Sequence, residues 1–204
     1  VLYHYLRGNP DHAAVQELMR AREPIPAHYL EPEARVKIMD EQGLEAIWLF
    51  PTLGVLYEEL LKHDTEAVTQ TFRSFNQWLD EDWGLAHQQR IFAAPYITLA
   101  DVDWAVRELE WALERGARLV CMRPAAVWTS DGPRSPGDPH FDPFWARVIE
   151  AGITVAIHAG DSGYSSNGYA RDGFSADFSG GGDMGRPSVK AWSIERAALD
   201  YLAT

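Results

Sequence analysis

Helical and strand patterns alternate strictly between Glu45 and Asp161, and this alternation limits the folds that the chain can adopt. The pattern predicts four apolar strands, at Ala46–Phe50, Arg90–Thr98, Arg118–Met122 and Ile153–Ile157. A helical pattern precedes each strand, and the turns that enter the strands are shorter than those that leave them. Such units build a parallel sheet covered by helices, because right-handed crossovers bring each new strand beside the last.

The predicted helices carry their own start and stop signals. One spans Pro32–Gln42, with proline at its start and Gly43 after its end. Asp64 or Thr65 is expected to cap the next, a long helix whose apolar residues recur at close to helical spacing. Asp101 is expected to cap the third, and the fourth runs from near Pro143 to Gly152. The segment Pro124–Asp142 is predicted to be a long loop.

The predicted fold class is α/β, of the (β/α)8 TIM-barrel type. A barrel of eight units needs roughly 250 residues, and this chain has 204 residues with four visible strands. We therefore expect a partial barrel over residues 31–204, preceded by an N-terminal excursion or cap over residues 1–30. An open doubly wound sheet is the alternative, but the turn Pro51–Gly54 matches neither a P-loop nor a dinucleotide-binding fingerprint.

Composition favours a compact protein that acts on small molecules. The net charge of -12 would repel phosphate backbones and anionic lipids, so we expect neither nucleic acid nor membrane as a partner. The single cysteine, Cys121, lies within an apolar run and is expected to be reduced and buried. With no disulfide framework within the chain and no signal-like segment, a cytoplasmic protein is expected. A homo-oligomer is compatible with the aromatic residues of the long helix, such as Trp78.

The sequence ITVAIHAGDSGY, Ile153 to Tyr164, holds the main candidate site. His158 follows a buried strand, at the sheet edge where parallel α/β proteins gather their catalytic groups. The alternative is a core histidine bonded to a neighbouring carbonyl. Asp161 is assigned a catalytic role, and Ser162 and Tyr164 are assigned substrate contacts; the alternative for all three is ordinary turn chemistry.

Arg123 follows the third predicted strand and is assigned to substrate binding. A guanidinium at that position can hold a substrate carboxylate in bidentate geometry. The alternative is a structural ion pair with a carboxylate from a neighbouring loop.

The stretches that carry the alternation also resemble a known family. EARVKIMDEQGLEAIWLFPTLG, RIFAAPYITLADVDWAVRELEWALERGARLVCMRPAA and HFDPFWARVIEAGITVAIHAG are similar to the amidohydrolase-2 branch of the amidohydrolase superfamily. Members of that branch are metal-dependent barrels that hydrolyse carbon-nitrogen or ester bonds, or remove carboxylate from aromatic acids. The resemblance covers most of Glu33 to Asp161, and it places the visible units at strands two to five of eight.

The resemblance implies a function and a partial metal site. It implies a metal-dependent enzyme that acts on a small cyclic or aromatic acid, by hydrolysis or by decarboxylation. His158 takes the fifth-strand position that contributes a metal ligand, and the metal is expected to be divalent, with zinc as the first choice. The family's first-strand histidine pair has no match here, so the remaining ligands are expected outside this chain. The alternative is a non-catalytic partial barrel that binds a ligand or needs a partner chain.

Overall fold

The computed structural model describes residues 24–51 and 54–158. After a 3₁₀ turn at Ala27–Tyr29, the elements in chain order are α1 (Pro32–Gln42), β1 (Ile47–Leu49), α2 (Gly54–Leu60), α3 (Thr65–Trp83), β2 (Ile91–Ala93), α4 (Val102–Glu114), β3 (Leu119–Met122), β4 (Val127–Thr129), β5 (Gly132–Arg134), a 3₁₀ turn (Pro139–Phe141), α5 (Asp142–Ala151) and β6 (Thr154–Ile157). The predicted alternation of helix and strand is confirmed, while α2 and the β4–β5 pair are additions to it.

Four of the strands run parallel, as predicted. β1 pairs with β2 in the register Ile47↔Ile91, and β3 pairs with β6 in the register Met122↔Ile157. The two pairs are joined by a parallel bridge between Tyr96 and Cys121. The spatial order β1, β2, β3, β6 therefore follows the chain order of these strands, which is the arrangement of consecutive units in a barrel.

The second strand is shorter than the predicted Arg90–Thr98. Ala94 donates its backbone N–H to Leu49 of β1, but the next N–H on that side, of Tyr96, donates to Oδ1 of Asn76 at 2.8 Å instead of to β1. Pro95 and Ile97 face the other side and bond to β3: the N–H of Cys121 donates to the carbonyl of Pro95, and the N–H of Ile97 donates to the carbonyl of Cys121. The segment therefore leaves β1 after Ala94 and continues along β3.

The helices begin and end where the sequence signals indicate. Asp64 and Asp101 accept hydrogen bonds from the backbone N–H groups of Ala67 and Trp104, at 2.9 and 2.8 Å, and so cap α3 and α4. Gly43 follows α1 at a φ of +68°, a conformation that glycine adopts without the steric cost of a Cβ. The predicted caps of α3 and α4 are therefore confirmed.

The largest core lies where β3 meets α4 and α5. Its buried apolar side chains include Ala93, Leu109, Val120, Phe141 and Phe144. Cys121 is also fully buried, in a second cluster with Phe72 and Tyr96, which confirms its predicted burial. Among the described residues, no helix is both long and apolar enough to cross a membrane.

Candidate active site at the carboxyl ends of the strands

Four residues follow the parallel strands at the same edge of the sheet. Phe50 comes directly after β1, Thr98 lies at the end of the segment that continues β2, Arg123 follows β3, and His158 follows β6. The backbone N–H of His158 donates to the carbonyl of Met122 at 2.8 Å, so the β3–β6 register continues past the strands. Arg123 and His158 therefore sit side by side at the edge where parallel sheets hold their sites.

His158 is half-buried, and its ring faces an aromatic neighbour. The ring centroids of His158 and Phe50 lie 6.3 Å apart, with an interplanar angle of 61°. This edge-on contact joins the ends of β1 and β6, the two outer strands of the described sheet. The predicted position of His158 at a strand end is confirmed, and its role as a metal ligand stays a prediction.

Arg123 is buried and paired with two carboxylates of α2. Its Nη1 lies 2.7 Å from Oε2 of Glu59, and its Nε lies 3.4 Å from Oε2 of Glu58. Only 3% of the Arg123 side chain is exposed. The structural ion pair, which the sequence left as the alternative for this residue, is thus present, with its carboxylates on a helix. Contact between Arg123 and a substrate stays a prediction.

Glu58 is the centre of a buried polar cluster. Its Oε2 accepts a hydrogen bond from the Tyr96 hydroxyl at 2.5 Å, and its Oε1 accepts one from the Thr98 hydroxyl at 2.6 Å. Glu59 also accepts a bond from Lys62 at 2.5 Å. We call Glu58, Glu59, Tyr96, Thr98 and Arg123 the strand-end cluster. It ties α2 to β3 and to the segment that follows β2.

The electrostatics of this cluster follow from burial and from the two glutamates. Burial raises the pKa of Tyr96 well above its ordinary value, and the nearby charge of Glu58 raises it further. Burial alone would lower the pKa of Arg123, but the charge of Glu58, with Tyr96 and Glu59, more than offsets this and raises it. Tyr96 therefore stays a neutral donor and Arg123 stays a cation.

The β4–β5 hairpin covers the cluster. It occupies the segment predicted as a loop, and its Trp128 packs on the turn that follows α2. The Lys62 ammonium lies 4.9 Å from the Trp128 ring centroid, and the His63 ring centroid lies 4.8 Å from it. Beneath the hairpin is a cavity of about 10 Å³, room for roughly one water molecule, lined by Glu58, Ile97, Leu99, Met122, Arg123, Ala125 and Val127.

The described residues do not make a complete metal site. Among them, no group of three or more histidine, cysteine, aspartate and glutamate side chains is placed to hold an ion. A catalytic zinc site takes about three protein ligands, so His158 can supply only part of one. Asp161, Ser162 and Tyr164 lie outside the described residues, and their assigned roles stay predictions.

Sequence reasoning missed Glu58, Glu59, Tyr96 and Thr98. The glutamates lie in α2, which the sequence pattern did not reveal, and nothing in their spacing indicates burial. Asn76 and Glu108 did carry a signal, because each is a polar residue on an apolar helix face. Both are buried, and the Asn76 amide bonds to the Tyr96 backbone N–H and carbonyl and to Glu108, at 2.8, 2.9 and 3.0 Å.

Comparison with known proteins adds a family match. The family model described as Amidohydrolase matches residues 25–194. An amidohydrolase from Mycobacterium avium subsp. paratuberculosis has a similar solved structure, with 41% sequence identity and a TM-score of 0.79. That likeness covers 98% of this chain and 50% of the other. No curated protein matches the chain.

Two further solved structures share the fold at lower identity. A 2,6-dihydroxybenzoate decarboxylase from Rhizobium has 20% identity and a TM-score of 0.57 over 84% of this chain and 50% of its own. A dihydroxybenzoic acid decarboxylase from Polaromonas, with bound manganese and the inhibitor 2-nitroresorcinol, has 20% identity and a TM-score of 0.59 over 83% and 48%. This chain spans about half the length of each. The predicted partial (β/α)8 barrel is confirmed.

Proposed function

Because this chain belongs to the amidohydrolase family, we propose that the whole protein is a metal-dependent enzyme acting on a small cyclic or aromatic acid. The observation that carries the proposal is the position of His158, beside Arg123 at the carboxyl ends of parallel strands. A histidine held there by a strand is well placed to serve as a metal ligand. The remaining ligands would come from residues outside the described part of the chain.

Hydrolysis and decarboxylation are both open to such a site. The decarboxylases from Rhizobium and Polaromonas support the second reaction only through their shared fold, since their identity to this chain is 20%. A bound divalent ion would supply Lewis-acid chemistry in either case. Zinc is our first choice, and the manganese in the Polaromonas structure makes that metal the second one to test.

The residues after His158 complete the proposal. Asp161 would move a proton, and Ser162 and Tyr164 would contact the substrate, because all three follow the strand end within a few residues. Asp161→Asn removes the titratable group with little change of shape. It should lower turnover while the metal content stays unchanged.

The test is His158→Ala in the full-length protein, with His140→Ala as a control. His140 is an exposed histidine of the segment before α5, so its loss should leave both metal content and turnover unchanged. Loss of one imidazole from a site of about three ligands should weaken metal binding strongly. Metal content is measured after dialysis against zinc or manganese, and turnover by release of carbon dioxide or of hydrolysis product from a panel of hydroxybenzoates and cyclic amides.

Full metal occupancy with unchanged turnover in His158→Ala would contradict the assignment of His158. A wild-type protein that holds no metal and converts no member of the panel would favour the alternative, a binding module without catalysis.

A further inference from the structure

A continuous series of polar contacts, most of them buried, leads from the helices to the strand ends. Glu108 of α4 accepts bonds from Arg73 at 2.8 Å and from Asn76 at 3.0 Å. Asn76 in turn holds the backbone of Tyr96, and the Tyr96 hydroxyl donates to Glu58. Glu58 lies beside Arg123. This series of contacts therefore joins α2, α3, α4, the segment after β2, and β3.

Glu58 differs from the other residues of this series because its partners lie at the carboxyl ends of the strands. It accepts from Thr98 and pairs with Arg123, the residues that follow two neighbouring parallel strands. The groups that face its carboxylate are donors: the hydroxyls of Tyr96 and Thr98 and the guanidinium of Arg123. A carboxylate satisfies three donors at once, whereas an amide would direct an N–H₂ group at one of them.

Arg123 already faces carboxylates of its own protein. Glu58 and Glu59 lie within 3.4 and 2.7 Å of its guanidinium nitrogens, and 3% of its side chain is exposed. A substrate carboxylate would have to compete with two buried glutamates whose desolvation has already occurred on folding. The geometry therefore favours a structural role for Arg123, in which its ion pairs hold α2 against the carboxyl end of β3.

We propose that Glu58 is a positioning residue of the active site, which fixes Arg123 beside His158, and Thr98 on the neighbouring segment, without touching the substrate. The inference rests on the proposed function, because it takes the strand ends to be where the reaction occurs. Arg123 then acts on the reaction through geometry, as the tie between α2 and the carboxyl end of β3. Displacement of about 1 Å at such a position can lower a rate on the order of 100-fold.

The experiment compares Glu58→Gln with Glu108→Gln in the full-length protein. The two glutamates are closely matched. Both are buried, with 6% and 3% exposure. Glu58 pairs with Arg123 and Glu108 with Arg73, and each glutamate also accepts a hydrogen bond from a neutral donor. Both substitutions should lower the urea midpoint by similar amounts. Only Glu58→Gln should lower kcat, by about 10-fold or more, while KM changes by less than about 3-fold and Glu108→Gln stays within about 2-fold of wild type.

Cys121 provides a readout that needs no substrate. It lies two residues before Arg123 and pairs with Tyr96, so loosening of the strand-end cluster should expose its thiol. Labelling by a thiol reagent, assigned to Cys121 by peptide mass, should be faster in Glu58→Gln than in Glu108→Gln. Equal labelling rates and equal kcat values in the two variants would overturn the proposal.

Two more variants separate positioning from direct contact. Thr98→Val removes one donor to Glu58 at nearly constant volume. Like Glu58→Gln, it should lower kcat. Arg123→Lys keeps the charge and loses the fork of the guanidinium. A fall in kcat supports positioning, whereas a rise in KM alone, in Arg123→Lys or Glu58→Gln, would show substrate contact and overturn it.

Failure of the proposed function has a different signature. A wild-type protein without turnover on any acid of the panel would contradict the proposed function. The Cys121 labelling rates would still decide whether Glu58 holds the strand ends together.

Discussion

At the scale of single residues, Cys121 shows how burial governs chemistry. The thiol is fully buried in β3, against Phe72 and Tyr96. Burial, followed by the charge of Glu58, raises the pKa of Cys121 from 9.0 to about 12. The thiol therefore stays protonated where an exposed cysteine would have become a thiolate, and it is a poor nucleophile in the native state.

This raised pKa predicts a loss of stability in alkali. Below pH 9 the thiol is protonated in both the folded and the unfolded state, so its contribution to the free energy of unfolding is fully present. As pH rises from 9 toward 12, the thiol ionises only in the unfolded state, and this contribution is lost. At pH 10.5 the free energy of unfolding should have fallen by about 2 kcal/mol through this group. Urea unfolding at pH 8 and 10.5, for wild type and Cys121→Ala, measures it. Cys121→Ala should show a loss smaller by that amount, and an equal loss in both proteins would contradict the assignment.

At the scale of elements, the caps follow from local sequence and the hairpin does not. Asp101 precedes α4 and bonds to the N–H of Trp104, a contact between residues three apart. The β4–β5 hairpin instead depends on Trp128 finding the Lys62 and His63 side chains of a distant segment. Its strands have three residues each and the second contains Pro133, so the period-2 signal is too short to detect.

The Asp101 cap gives a prediction at this scale. Asp101→Ala leaves a helix N–H without its partner and should lower the free energy of unfolding by about 1 kcal/mol. Asp103, in the same first turn, is the control, because it shares the favourable position near the helix N-terminus. Asp103→Ala should cost less, about 0.3 kcal/mol. Urea unfolding of the two variants at pH 7 compares them, and equal losses would mean that the Asp101 hydrogen bond contributes nothing.

At the scale of the whole molecule, the described sheet is centred on β3. That strand is entirely buried and bonds on one side to the Pro95–Ile97 segment and on the other to β6. The β4–β5 hairpin is a separate two-stranded pair, and its strands of three residues each are partly exposed. Stability should therefore be higher in β3 than in the hairpin.

Hydrogen exchange tests this difference. Amides of Leu119–Met122 should exchange more slowly than those of Val127–Thr129 and Gly132–Arg134, because β3 is fully buried between two hydrogen-bonded neighbours whereas the hairpin strands are partly exposed. Exchange measured by mass spectrometry on peptides from these three strands gives the order. A slower rate in the hairpin than in β3 would place the stable centre of the described fold elsewhere.

The sequence by itself determined the alternation, the parallel strands, the two aspartate caps and the positions of Arg123 and His158 at strand ends. These depend on periodicity and on residues close together in the chain, which a single sequence displays. Only the tertiary structure decided which side chains meet. Arg123 and Glu59 are 64 residues apart, and Tyr96 and Glu58 are 38 apart. No local pattern records such contacts, because they arise only when α2 packs across the carboxyl ends of the strands.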